Sequence, residues 1–203
     1  MNAGSDNTIS TNSQQALRAV VIGSSAGALD ALTAILPSLP KDYPYPILIV
    51  VHLPADRRSL LPDLFQSKCQ VQVKEAEDKD LILPGTVYFA PPDYHLLVDV
   101  DGMLSLSSEE PVLYSRPSIN VLFEAAADAF DSAVAGIVLT GANSDGALGL
   151  RAIGAKGGMT IVQAPQTAFT SEMPQAALNQ SPKALVMTLE EIRDFLLKQG
   201  RSL

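Results

Sequence analysis

The 203-residue chain has one cysteine, Cys69, no tryptophan and only two histidines, His52 and His95. A single thiol excludes an internal disulfide and any CxxC metal or redox pair. A reducing compartment is the simple reading. Positive charge is scarce: 14 Lys and Arg stand against 22 Asp and Glu, a formal net charge of −8. That acidity argues against nucleic acid and anionic membranes as partners. No stretch approaches the roughly 18 apolar residues of a membrane span. The opening MNAGSDNTISTNSQQ has neither the basic nor the apolar region of a signal peptide. Residues 1–16 are expected to be a disordered lead-in, and the protein to be cytoplasmic without membrane insertion. Phosphate loops are missing too. G-x-G-x-x-G needs glycines at 25 and 28, where Ser25 and Ala28 stand, and no Gly-Lys-Ser/Thr follows. A nucleotide-binding protein is therefore disfavoured, and neither a cofactor nor a metal is expected.

What is present is enough apolar sequence for one compact domain over 17–203: 47% of the chain is hydrophobic and 18% charged. Short apolar runs alternate with helix-like segments. Residues 18–23 (RAVVIG), 46–52 (PILIVVH) and 134–141 (VAGIVLTG) are continuous apolar runs, as strands buried on both faces should be. Strands are also expected at 70–76, 85–91, 159–163 and 183–187, and a hairpin across 95–109. Helices are expected at 26–36, 57–68, 116–131 with Pro117 in the first turn, 144–158 and 189–198. This alternation predicts an α/β fold: a doubly wound, mostly parallel, Rossmann-like sheet with helices on both faces and a small antiparallel hairpin.

Three polar residues stand just past three of the buried runs. Gly23-Ser24-Ser25-Ala26-Gly27 has the G-x-S-x-G form of a nucleophile turn, with Ser25 central and Ser24 a small spacer. Small neighbours are needed at such a sharp strand-to-helix turn, and the next amide lies at a helix N-terminus suited to a developing oxyanion. The plain alternative is a tight turn with a serine capping the helix. A nucleophilic serine needs a base. His52 ends PILIVV, on the same carboxyl edge of the sheet where ligands bind in open α/β folds. Alone it reads as a hydrogen-bonded strand-end histidine. Asp145, after VAGIVLTG, is the acid that could orient the imidazole; its plain alternative is a cap on the following helix, with Ser144 as a rival. The chain order Ser, His, Asp differs from the Ser, Asp, His of α/β-hydrolases.

Four blocks resemble the catalytic domain of the CheB family, chemotaxis receptor protein-glutamate methylesterases: VVIGSSAGALDAL; VVHLP; LPGTVYFAPPDYHLLV with RPSINVLFEAAADAF; and GIVLTGANSDGALGLRAIGAKGGMTIVQAPQTAFTSEMPQAA. They cover most of residues 18 to 190. The resemblance implies a doubly wound α/β domain with a serine-hydrolase triad of Ser25, His52 and Asp145. The implied reaction is hydrolysis of glutamyl γ-methyl esters on methyl-accepting chemotaxis receptors, with deamidation of receptor glutamines as a second activity. Implied partners are those receptors and the proteins of the chemosensory kinase array, within two-component signalling. Oxyanion donors would be the amides of Ala26 and Ala142; His95 reads as a cleft residue or a structural one. Arg116 reads as a cleft stabiliser or a contact to an acidic receptor helix, and 74–80 (KEAEDKD) as a solvated loop.

The chain departs from the family pattern in places. Ala26 stands where many relatives have threonine, Ala28 where a second glycine is common, and Ala142 where receptor-processing relatives often have methionine. About 17 residues precede the first strand, leaving no receiver domain, so phosphorylation-dependent release in cis is not expected. These departures bear on substrate choice. A related esterase or amidase acting on another chemosensory protein, and a non-catalytic docking module on receptor arrays, are the rival readings; the second predicts a broken triad, and none of its members is missing.

Overall fold

The computed structural model describes residues 17–52 and 59–201. The expected disorder over 1–16 and the first residues of the helix expected at 57–68 lie outside them. Nine strands are described: β1 (Ala19–Ser24), β2 (Ile47–Val51), β3 (Gln72–Glu75), β4 (Thr86–Phe89), β5 (His95–Val98), β6 (Leu104–Ser107), β7 (Val134–Val138), β8 (Met159–Gln163) and β9 (Leu185–Met187). The helices are α1 (Ala28–Ile35), α2 (Leu61–Gln66), α3 (Ile119–Phe130), α4 (Ala147–Ala155), α5 (Glu172–Gln180) and α6 (Leu189–Gly200). Seven strands form one sheet in the order β3-β4-β2-β1-β7-β8-β9, and every pairing in it is parallel. The antiparallel pair β5-β6 stands apart. The doubly wound architecture with a small hairpin is as the sequence predicts.

Alternating side chains explain the two layers. Val20 and Ile22 of β1 and Ile47 and Ile49 of β2 face a core with α1, Phe65 of α2 and Ile192 and Leu196 of α6. Ala19, Val21, Leu48 and Val50 face the other way, onto α3, α4, α5 and the hairpin. Both faces of β1, β2 and β7 are dry, which is why these strands read as unbroken apolar runs.

The chain leaves β1 toward β2 on one side and returns at β7 on the other, so β1 and β7 flank the point where strand order reverses. Such a point, at the carboxyl ends of the strands, is where open α/β sheets place their ligand crevice.

Four sequence expectations need correction. Pro117 is not in the first turn of α3; the helix begins at Ile119 because Ser118 is still extended, at φ −106° and ψ 137°, and the Asp145 carboxylate takes the amides of Ile119 and Asn120. The helix expected at 144–158 starts at Ala147, since Gly146 adopts φ 92°. Helix α5, not expected at all, packs Met173 and Ala177 on the sheet, and its Pro174 sits in the first turn, where no amide is required. Residues 74–80 are not simply solvated. Lys74 pairs with Asp80 at 2.9 Å, and Lys79 N–H and Asp80 C=O hydrogen-bond Leu104 of β6.

Candidate active site

Gly23, Ser24, Ser25, Ala26 and Gly27 carry the chain from β1 into α1. A Cβ on Gly23 would lie 2.2 Å from Ile119 Cγ2, and one on Gly27 would lie 2.6 Å from Phe169 Cβ. Gly27 also has φ 84°. Close approach at both positions and backbone freedom at the second therefore account for the two glycines. The two serines part company. Ser24 is fully buried, and its Oγ donates to Thr140 C=O at 2.9 Å. Ser25 N–H donates to the same carbonyl at 2.9 Å, and Ser25 is half-buried. Among the described residues Ser25 Oγ has no hydrogen-bond partner, and neither serine caps α1. Ser25 thus has its backbone fixed and its hydroxyl unspent.

His52 follows β2, in register with Ser25: Ser24 pairs with Val51, and His52 N–H donates to Ser24 C=O at 3.2 Å. Its Nε2 lies 2.8 Å from Asp145 Oδ2. A carboxylate only accepts, so Nε2 carries the proton and Nδ1 keeps the lone pair. The side chain is 12% exposed.

Asp145 is fully buried. It does not simply cap the helix after it. Its carboxylate accepts from Ile119 N–H at 2.6 Å and Asn120 N–H at 3.0 Å at the start of α3, from Ser118 Oγ at 2.9 Å, and from Gly146 N–H at 3.0 Å. Burial pushes this carboxyl up. The His52 hydrogen bond, the amides of Asn120 and Ile119, and the attraction of His52 outweigh that and hold it below the usual carboxylate value. Asn120 Oδ1 accepts from Gly149 of α4 at 2.9 Å and shares the Gly146 N–H, at 3.0 Å, with the Asp145 carboxylate. Ser144 contributes only its carbonyl, to Ala147 N–H.

The remaining candidates divide. The amides of Ala26 and Ala142 have no partner among the described residues, so both are available as donors. His95 is buried. Its Nδ1 accepts Ser118 N–H at 3.1 Å and its Nε2–H donates to Glu110 C=O at 3.1 Å, so it holds Ser118, which in turn holds Asp145. Arg116 gives its donors to Asp93, at 2.6 and 3.0 Å, and to the carbonyls of Ser108 and Glu109, clamping the hairpin to the segment before α3. Sequence reasoning missed Asn143 and Asn120, whose contacts cross between elements. A cavity of about 300 Å³ lined by Arg18, Tyr45 and Phe130 lies at the opposite, amino ends of the strands, away from these groups.

The CheB methylesterase family model matches residues 20–196. A putative protein-glutamate methylesterase/protein-glutamine glutaminase of Leptospira interrogans is 43% identical over 180 residues, covering 89% of this chain and 93% of that one. A protein-glutamate methylesterase/protein-glutamine glutaminase of Clostridium acetobutylicum is 34% identical over 191 residues, 94% of this chain but 55% of its own length. The crystal structure of the Thermotoga maritima CheB methylesterase catalytic domain superposes with a TM-score of 0.86 at 31% identity, covering 90% of this chain and 98% of that one. Among the described residues no helix is long and apolar enough to cross a membrane.

Proposed function

The chain belongs to the CheB methylesterase family, and from that premise we propose that it is a serine hydrolase removing methyl groups from glutamyl γ-methyl esters of methyl-accepting chemotaxis receptors. The observation that carries the reading is the 2.8 Å bond from His52 Nε2 to the buried carboxylate of Asp145, on the strand next to an unspent serine hydroxyl.

Ser25 is the nucleophile, His52 the base and Asp145 the residue that orients it. As Ser25 Oγ attacks the ester carbonyl carbon, its proton passes to His52 Nδ1. The imidazolium that forms is stabilised by the ionised Asp145 carboxylate. The amides of Ala26 and Ala142 receive the oxyanion of the tetrahedral intermediate. Removing one such donor in a well-studied protease costs roughly 3–4 kcal/mol. Collapse of the intermediate breaks the bond to the methoxy oxygen, which takes the proton from Nδ1 and leaves as methanol. Water, deprotonated by the same nitrogen, then attacks the acyl-serine. The leaving proton goes back to Ser25 Oγ, freeing glutamate. With a glutamine side chain the same steps expel ammonia, the glutaminase reaction that the relatives' names carry.

The substrate helices belong to receptors on the cytoplasmic side, and the acidic chain itself needs no cofactor for this chemistry. The test is release of volatile label from a receptor cytoplasmic fragment carrying radiolabelled methyl esters. Methanol is expected from the wild-type chain. A folded protein that releases none from receptors encoded beside it points instead to a docking role on the array.

A further inference from the structure

Three side chains at the crevice close a ring of hydrogen bonds. His52 Nε2–H donates to Asp145 Oδ2 at 2.8 Å; Asp145 N–H donates to Asn143 Oδ1 at 3.0 Å; and Asn143 Nδ2 lies 3.3 Å from His52 Nδ1. The direction of each bond follows from the others. Asp145 N–H can only donate, so the carboxamide must present its oxygen there and its NH2 to the imidazole. Nδ1 must then accept, which again puts the ring proton on Nε2. The carboxylate and the carboxamide thus select the same tautomer independently.

We propose that Asn143 is a positioning residue for the proposed hydrolysis: it keeps the His52 Nδ1 lone pair unprotonated and turned to the crevice until the Ser25 hydroxyl replaces the carboxamide as donor. The inference rests on the assignment of Ser25 and His52 made above. Among the described residues Ser25 Oγ has no partner while Nδ1 has Asn143, so the serine hydroxyl is unspent and the imidazole lone pair is held by the carboxamide. Asn143 follows the exposed Ala142 and is itself half-buried, with its carboxamide oxygen held by Asp145 N–H. An unprotonated Nδ1 is the state a general base needs. A carboxamide NH2 enforces it without adding a charge next to Asp145.

This role and a purely loop-stabilising one predict opposite orders for two substitutions. Asn143→Asp keeps an oxygen for Asp145 N–H, so the loop is preserved, but it replaces the donor at Nδ1 with an acceptor. The ring must then carry a proton on Nδ1 to meet it, and the base is blocked. Asn143→Ala loses both bonds but leaves Nδ1 open. The expected order of turnover at pH 7.5 is wild type, then Asn143→Ala at about three- to tenfold lower kcat, the worth of the one neutral hydrogen bond from Asp145 N–H that holds the acid's loop. Asn143→Asp comes last, roughly thirtyfold or more below wild type, because charged partners bind more strongly. KM is expected to stay within about twofold.

Ring 15N NMR reads the cause directly, since the chain has only two histidines. His95, with both nitrogens bonded to backbone, serves as the reference for an intact fold. In wild type and Asn143→Ala, His52 is expected to carry its proton on Nε2 alone; in Asn143→Asp, on both nitrogens. Asn143→Asp turning over like wild type with Asn143→Ala the slower would overturn the inference. So would a wild-type His52 with its proton on Nδ1, a result that needs no variant to fold. Ser25→Ala is run in the same assay. If it releases methanol like wild type, the hydrolase assignment fails on its own terms, while the NMR result still decides the tautomer that Asn143 sets.

Discussion

Asp145 and Asn120 each serve the helix that the other residue belongs to or precedes. The Asp145 carboxylate takes the amides of Ile119 and Asn120 at the start of α3, and the Asn120 carboxamide oxygen takes those of Gly146 and Gly149 at the start of α4. The acid facing His52 cannot turn away without uncapping α3, so its aim is fixed by the same contacts that join two helices. Asn120→Ala strands the buried Gly149 amide and leaves Gly146 N–H with Asp145 Oδ1 alone, and is expected to destabilise the fold by roughly 1–3 kcal/mol. It should also lower kcat, through a loosened Asp145. Urea unfolding and methanol release measure the two effects, and an unchanged urea midpoint contradicts the reciprocal arrangement.

Acid sensitivity follows from the direction of the Asp145 shift. Burial raises this carboxyl, but its hydrogen bonds from His52, Asn120 and Ile119 more than offset that, so the folded value lies below the unfolded one. The stabilisation is therefore full above the unfolded value, about 3.9, and fades as pH falls through the folded value. The stability gap between wild type and Asp145→Asn is expected to be constant from about pH 7 to 5 and to narrow below about pH 4. Urea titrations at three pH values test this; a gap that widens in acid has the wrong sign.

A Cβ on Gly23 would lie 2.2 Å from Ile119 Cγ2, so that pair packs the turn after β1 tightly against the start of α3. Gly23→Ala is expected to cost about 1–3 kcal/mol, the usual penalty of overpacking. In an Ile119→Ala background its cost should shrink, because the clashing methyl is gone. Additive effects across this double-mutant cycle rule the contact out as the cause.

Cys69 lies half-buried after α2, and burial raises its thiol above the usual value, with Lys68 pulling only weakly the other way. Little thiolate forms near neutral pH. Thiol-reagent labelling at pH 7.5 is expected to run at least about tenfold slower in the native chain than in urea, counting access and ionisation together. Equal rates show the thiol to be open and ordinary.

The sheet was legible because β1, β2 and β7 are covered on both faces, leaving no polar face to interrupt VVIG, ILIVV or AGIV. Residues just past such runs fall on one edge, so Ser25, His52 and Asp145 could be grouped without any contact being seen. The plain serine-cap reading of the turn failed because Ser24 spends its hydroxyl on Thr140, an interaction across 116 residues. Helix α5 escaped notice because SEMPQAALNQ carries a short, weak apolar stripe and a proline. Asn143 and Asn120 were illegible for a different reason. Each acts through a carboxamide that meets partners on other elements, and no local pattern marks which way an amide turns.

The central claim is that Ser25, and not its neighbour, forms the acyl-enzyme. Ser24→Ala removes one hydrogen bond to Thr140 and is expected to cost about 1 kcal/mol of stability while leaving turnover within about threefold. Ser25→Ala, with its hydroxyl bound to nothing in the described structure, is expected to unfold like wild type and to lose at least about a thousandfold in methanol release from methylated receptor fragment. A folded Ser25→Ala protein that still releases methanol, or a folded Ser24→Ala protein that does not, contradicts the account.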